Sequence, residues 1–242
     1  MTERDSGHPI SSDSTGGNEA DPAAGEGPLA PDKQAVVDLL GALAYGEMTA
    51  FERLAGDSRL APSLGDKAAL GAMAVAEFGH YQRLHEHLVG MGVDPEQAMA
   101  PFVRALDEFH DTTVPSNWLE GLVKAFVGDG IAADFYREVA RLLDPDTGAL
   151  VLEVLADTGH AAFAVERVRA AIANDPTVAG RLALWARRIV GEALAQAQRV
   201  VVDRESLAYL LGGIGDLAEV ARLFARITDA HSARMTALGL SG

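Results

Sequence analysis

Ala76-Glu77-Phe78-Gly79-His80-Tyr81 and Ala156-Asp157-Thr158-Gly159-His160 carry one pattern twice: an acid three residues before a histidine, with a glycine just ahead of the imidazole. Residues i and i+3 share a helix face, so each pair can offer two ligands to one ion. Four of the seven histidines have an acid at that offset (His8, His80, His110 and His160), where random placement of the 35 acids would give about one. The two glycine-marked pairs have further company. Gly46-Glu47 precedes His80 by 33 residues, and Gly128-Asp129 precedes His160 by 31. The chain therefore holds a weak internal repeat, a helix with Gly-acid, a turn, and a helix with acid-x-Gly-His. A helical glycine costs about 1 kcal/mol relative to alanine. Four of them beside candidate ligands predict a close approach to the backbone there.

Working outward, residues 1–31 are rich in Gly, Ser, Pro, Asp and Glu. They cannot bury enough apolar surface to offset ordering entropy, so they read as a disordered acidic tail. Residues 32–242 read as one helical domain, with apolar residues at three- and four-residue spacing and no period-two alternation. The first helix spans about 32–55, stopped by Gly56-Asp57-Ser58. The second runs from about 66 to Gly90-Met91-Gly92. Asp94-Pro95 opens a short segment interrupted by Pro101, a third long helix runs from Asn117 to about 143, and Asp144-Pro145 opens a fourth to about 174. Two further helices occupy about 176–238, the last bent at Gly212-Gly213-Ile214-Gly215. Gly213-Ile214-Gly215 and Gly128-Asp129-Gly130 lack a preceding strand and full GxGxxG spacing, which rules out a dinucleotide motif.

On these helices Glu47 lines up with Leu40, Leu43, Ala44, Phe51 and Leu54, and Glu77 and His80 with Met73, Ala76 and Leu84. Asp129 falls in line with Leu122, Phe126, Ala133 and Tyr136, and Asp157 and His160 with Leu150, Val154, Ala164 and Val168. All six polar groups thus sit on apolar stripes that face a core. Burying four carboxylates together is prohibitive unless something neutralises them. Two divalent cations would do so, and ligation by oxygen and nitrogen without sulfur suits iron, or manganese in its place, better than structural zinc. One acid from each of two helices and an acid-x-x-His from each of the other two is the ligand pattern of the ferritin-like di-iron carboxylate bundle.

Within that superfamily the chain resembles the MiaE-like tRNA-(2-methylthio-N6-isopentenyladenosine) hydroxylases. The resemblance rests on Ala44-Tyr45-Gly46-Glu47, Ala76-Glu77-Phe78-Gly79-His80-Tyr81, Phe126-Val127-Gly128-Asp129-Gly130 and Ala156-Asp157-Thr158-Gly159-His160, and covers about residues 32–174. It implies a four-helix bundle with extra C-terminal helices. It also implies an O2-dependent di-iron monooxygenase with ions held by Glu47, Glu77, His80, Asp129, Asp157 and His160, acting on tRNA. Asp129 and Asp157 depart from the family by standing where glutamate is usual, each one methylene shorter. Electrons would come from a separate reductase, because no flavin or nicotinamide motif is present. Tyr45, Tyr81 and Tyr136 fall near the ligand level, as groups beside the metals or radical sinks, with core tyrosines the plainer reading. A metal-binding oxidase handling O2, peroxide or iron without an organic substrate, and a helical module with a vestigial site, are the alternatives.

Composition narrows the field further. With no cysteine, disulfide scaffolds, thiolate metal sites and a cysteine nucleophile are excluded. No run of about 18 apolar residues exists, so no membrane span is expected, and without an apolar leader the expectation is cytoplasmic. The net charge of −15 weighs against tRNA, since phosphate binding draws on Lys and Arg. A basic face around Arg167, Arg169, Arg181, Arg187 and Arg188 is the counter-argument, with solvated helix surfaces the plainer account. Of the other histidines, His110 lies near a helix C-terminus, where a cation is favourable without any metal. His87 follows His80 along its stripe as a pocket candidate, and His231 reads as surface.

Overall fold

The computed structural model describes residues 33–156, 159–212 and 217–240. Asp157, the 1–31 tail and the bend at residues 213–215 lie outside the described residues. The described residues form ten α-helices and no strand. These are α1 (Lys33–Asp57), α2 (Leu64–Gly90), α3 (Pro95–Met99), α4 (Val103–Thr112), α5 (Trp118–Ala140), α6 (Pro145–Val154), α7 (His160–Asn174), α8 (Val178–Asp203), α9 (Glu205–Gly212) and α10 (Leu217–Leu238). None is long and apolar enough to cross a membrane.

The helix starts follow local chemistry. Asp94 and Asp144 each cap a helix whose first residue is proline, Asp94 accepting from Glu96 N and Asp144 from Thr147 N. Asn117 caps α5 by accepting from Glu120 N. Ser63, rather than a residue near Asp66, opens α2: its hydroxyl accepts from Asp66 N at 3.1 Å and donates to the Asp66 carboxylate at 2.7 Å.

α1 and α2 run antiparallel, since Leu54 shares a core with Leu70 and Ala74 while Val36 and Leu40 pack with Leu84 and Leu88. α5 and the α6–α7 pair complete the bundle, α8 and α10 flank α5, and α9 lies on α1. Two apolar layers result. One gathers Leu54, Leu70, Ala74, Val127, Ala164 and Val168, and the other Leu40, Leu43, Ala44, Leu84, Val151 and Val154. Glu47, Glu77 and His80 fall between the layers on their helices, so polar groups occupy the middle of the stack.

The fourth bundle element is not the single helix expected over 145–174. α6 ends at Val154, and α7 begins at His160 after Gly159, whose φ of +98° is a left-handed conformation that favours glycine. The freed Leu155 carbonyl accepts from Arg137 Nη2 at 2.9 Å. α6 belongs to one apolar layer and α7 to the other, so the chain breaks at the level of the polar groups.

Close approach to the backbone occurs at other glycines than the four beside the candidate ligands. A Cβ at Gly46, Gly79, Gly128 or Gly159 would meet nothing nearer than 3.7 Å, whereas one at Gly41 would overlap the Ala98 carbonyl. Gly46, Gly79 and Gly128 thus relieve no contact with the protein's own atoms, and only Gly159 answers a backbone need.

Candidate metal centre

Three helices bring one cluster together. Glu47 comes from α1, Glu77 and His80 from adjoining turns of α2, and His160 from the first position of α7. Glu77 stands between the two imidazoles. One carboxylate oxygen lies 3.0 Å from His160 Nδ1 and the other 3.1 Å from His80 Nδ1. Glu47 Oε2 is 3.4 Å from the same His80 nitrogen. One ligand atom from each of Glu47, Glu77 and His80 lies within 4.8 Å of the others, and all three residues are only 8% exposed.

Their protonation follows from that crowding. Burial lifts the Glu47 carboxyl to about 8; its hydrogen bond to His80 opposes the rise, and the neighbouring Glu77 adds to it. Glu77 moves the other way: against the push of burial, hydrogen bonds from His160, His80 and Glu47 hold it well below the usual carboxylate range. His80 is pushed up to about 9 by its hydrogen bonds to Glu47 and Glu77. At neutral pH the cluster is thus an ionised Glu77, a protonated Glu47 sharing its proton with it, and an imidazolium. Protons here do the neutralising that a divalent ion could do, and the donor set fits such an ion.

Asp129, on α5, belongs to the same neighbourhood. Enclosure by protein, and then the charge of Glu77, raise its carboxyl to about 7, with His160 and Lys124 pulling back. Yet its side chain is exposed to solvent. His160 is partly exposed, with 23% of its side chain reaching solvent. Glu47, Glu77 and His80 are thus shielded from water, while Asp129 and part of His160 meet it. Of the six residues singled out by spacing, four meet, Asp129 lies within electrostatic reach, and Asp157 is outside the described residues. His160 is the first residue of α7, whereas His80 lies inside α2.

The tyrosines differ. Tyr45 donates to Asp107 Oδ1 at 2.8 Å, on α4, and burial together with Asp107 pushes its hydroxyl up to about 12. Tyr81 packs between Phe78 and His85. Tyr136 is raised above its ordinary range by burial and then by the charge of Glu47, which puts it nearest in electrostatic terms to the cluster.

Three other expectations change. His110 sits in the last turn of α4, but burial, with Lys124 and Arg53 adding to it, drops it to about 3. Several kcal/mol of desolvation outweigh the ~1 kcal/mol a helix end offers a cation, so His110 is neutral. His231 is half-buried rather than at the surface, lowered by burial and by Arg234. His87 lines an open surface depression with Arg83 and Glu86 instead of the polar cluster. Of the five C-terminal arginines, Arg167 pairs with Asp66, Arg169 donates to the Thr236 and Ala237 carbonyls and Arg188 to the Thr112 carbonyl. Three of the five therefore hold helices together. Spacing also passed over Lys124, a buried cation on α5; the signal was a lone charge in the run Leu122-Val123-Lys124-Ala125-Phe126-Val127.

No curated protein matches the chain. A family model described as "Ferritin-like domain, actinomycetes" matches residues 31–214, three quarters of the sequence and every helix from α1 to α9. With an all-helical bundle and a buried carboxylate–histidine cluster at its middle, this chain belongs to that ferritin-like family.

Proposed function

We propose that the chain is a non-haem di-iron protein and an O2-dependent hydroxylase of the MiaE-like kind. The observation that carries the reading is Glu77, buried, with one oxygen turned to each of two imidazoles. A carboxylate so placed is built to be shared between two ions. In this reading Glu47 and His80 complete one half-site, Asp129, Asp157 and His160 supply the other, and iron is the metal, with manganese the substitute. A bound ferrous pair would supply O2 activation and oxygen insertion into a C–H bond.

The protein's own work is positioning. The Leu43–Ala44–Leu84 and Leu54–Ala74–Val127 layers exclude water from both ends of the cluster. Glu47 would give up its proton to hold a metal, and the exposed Asp129 with the partly exposed His160 marks the side from which a substrate would approach. Tyr136 is the tyrosine assigned to the site. Electrons come from a separate reductase, and the location is cytoplasmic. The substrate is an isoprenoid-type C–H bond, on a modified tRNA nucleoside in the family's manner, although the charge of −15 favours a smaller molecule.

One observation favours the second reading, an oxidase acting on O2, peroxide or iron alone: Glu47, Glu77 and His80 are closed off from solvent. The solvent exposure of Asp129 and, in part, of His160 favours the hydroxylase. Metal analysis of protein from its native host, with nucleoside profiles of a deletion strain and its parent, tests the proposal. About two iron per chain and a lost hydroxylated nucleoside are expected. Less than about 0.2 metal per chain refutes the metal centre, and an unchanged profile refutes only the tRNA substrate.

A further inference from the structure

The face that α2 turns away from the bundle is as apolar as the face it turns inward. Leu64 is 85% exposed, Val75 70%, Val89 53% and Phe78 38%. From Ala68 to Gln82 the only acid and the only imidazole are Glu77 and His80, both buried, and no lysine or arginine occurs. The exposed positions there are Ala68, Ala72, Val75, Phe78 and Gln82, none of them charged. A helix at the rim of a bundle carries polar residues outside, whereas one that is apolar all round is covered on both sides. Phe78 is already held, its ring 5.2 Å from that of Phe51 and 5.6 Å from that of Tyr81, so binding would not have to order it. From Leu64 to Val89 the stripe runs about 37 Å, and at one helix width of ~10 Å it covers roughly a few hundred Å², the size at which apolar surface marks an interface.

The charges identify the occupant. Exposed Lys67 and Glu86 stand near the two ends of the stripe without an ion pair among the described residues, while Arg83 at its edge is paired with Glu153. Lys67 and Glu86 are opposite in sign and equidistant along the helix from the midpoint between Ala76 and Glu77. So are Leu64 and Val89, and so are Val75 and Phe78. Laid antiparallel on a copy of itself about that point, α2 sets Lys67 level with Glu86 of the second copy at both ends, and apolar residues against apolar residues between them. A parallel pair would set lysine beside lysine and glutamate beside glutamate. With a net charge of −15 on each chain, two copies repel in general, and contact needs a stretch free of exposed acid such as this one.

We propose that the outer face of α2 is the two-fold interface of a homodimer, with the two α2 helices antiparallel and Lys67 paired across it with Glu86 of the second copy.

Sedimentation velocity of the full chain from about 1 to 200 µM tests this, and a reversible dimer with a Kd on the order of micromolar is expected for an interface of modest area. Lys67→Glu and Glu86→Lys, each alone, set like charges against each other twice and should weaken dimerisation roughly tenfold or more. Mixed in equal amounts, the two variants restore both pairs, so they should associate with each other as tightly as the unaltered chain does with itself. Val75→Arg should give a folded monomer, because Val75 already faces solvent. A chain that stays monomeric throughout that range overturns the proposal; if Val75→Arg then lowers the melting temperature of that monomer, residues 1–32 of the chain itself are the occupant. A dimer indifferent to Val75→Arg overturns it too, as does failure of the mixed variants to associate better than either alone. Lys67, Val75 and Glu86 are not among the proposed ligands, so each of these failures leaves the di-iron reading untouched.

Discussion

Metal uptake should release protons, and the cluster says how many. At pH 7 Glu47, with a pKa of about 8, and His80, at about 9, both hold a proton that a bound metal must displace. Asp129, at about 7, holds one roughly half the time. Filling the site therefore releases about two protons per chain. At about 1.4 kcal/mol per pH unit, displacing them costs on the order of 4 kcal/mol at pH 7, a cost that disappears above pH 9. Apparent affinity should rise about a hundredfold per pH unit near neutrality. Anaerobic ferrous ion, or manganese in air, titrated into metal-free protein in buffers of different ionisation enthalpy measures the proton count by calorimetry. His80→Ala should remove about one proton from it. Release of fewer than about half a proton, or an affinity flat between pH 6 and 8, would refute the assignment of Glu47 and His80 as ligands.

Other outcomes follow from the same geometry. Arg204 clamps Asp38, only 1% exposed, with two hydrogen bonds, joined by Ser206. Arg204→Ala strands that carboxylate and should cost about 3 kcal/mol, a fall of roughly 6–12 °C in Tm for a chain of this size. Gly41→Ala forces the α1 backbone away from Ala98 and should cost about 2 kcal/mol, read from urea midpoints. The depressed His110 contributes stability that is full above pH 6.5 and lost as pH falls toward 3. His110→Gln should therefore shrink the stability drop between pH 7 and pH 5 by about 2 kcal/mol. Chelator should lower the melting temperature of native protein, and an unmoved melt would contradict a loaded metal centre.

Helical period, proline-led caps and the Glu77–His80 spacing depend on neighbours within a few residues, and all three were legible in the sequence. The stripe through Leu40, Leu43, Ala44 and Glu47 placed a carboxylate in the core because a side chain's direction on a helix is set by position. The break before His160 was not legible. Its Gly159 looks like Gly79 in sequence, and only packing across two apolar layers turned one into a left-handed cap and left the other inside α2.

The sequence by itself determined an all-helical chain and the face on which each acid and histidine lies, since local periodicity decides both. Only the tertiary structure decided that Glu77 divides its oxygens between His80 and His160, that His110 is neutral and that Lys124 is buried over the Phe109 ring. Those outcomes depend on distances and burial between residues far apart in the chain, which no local pattern encodes.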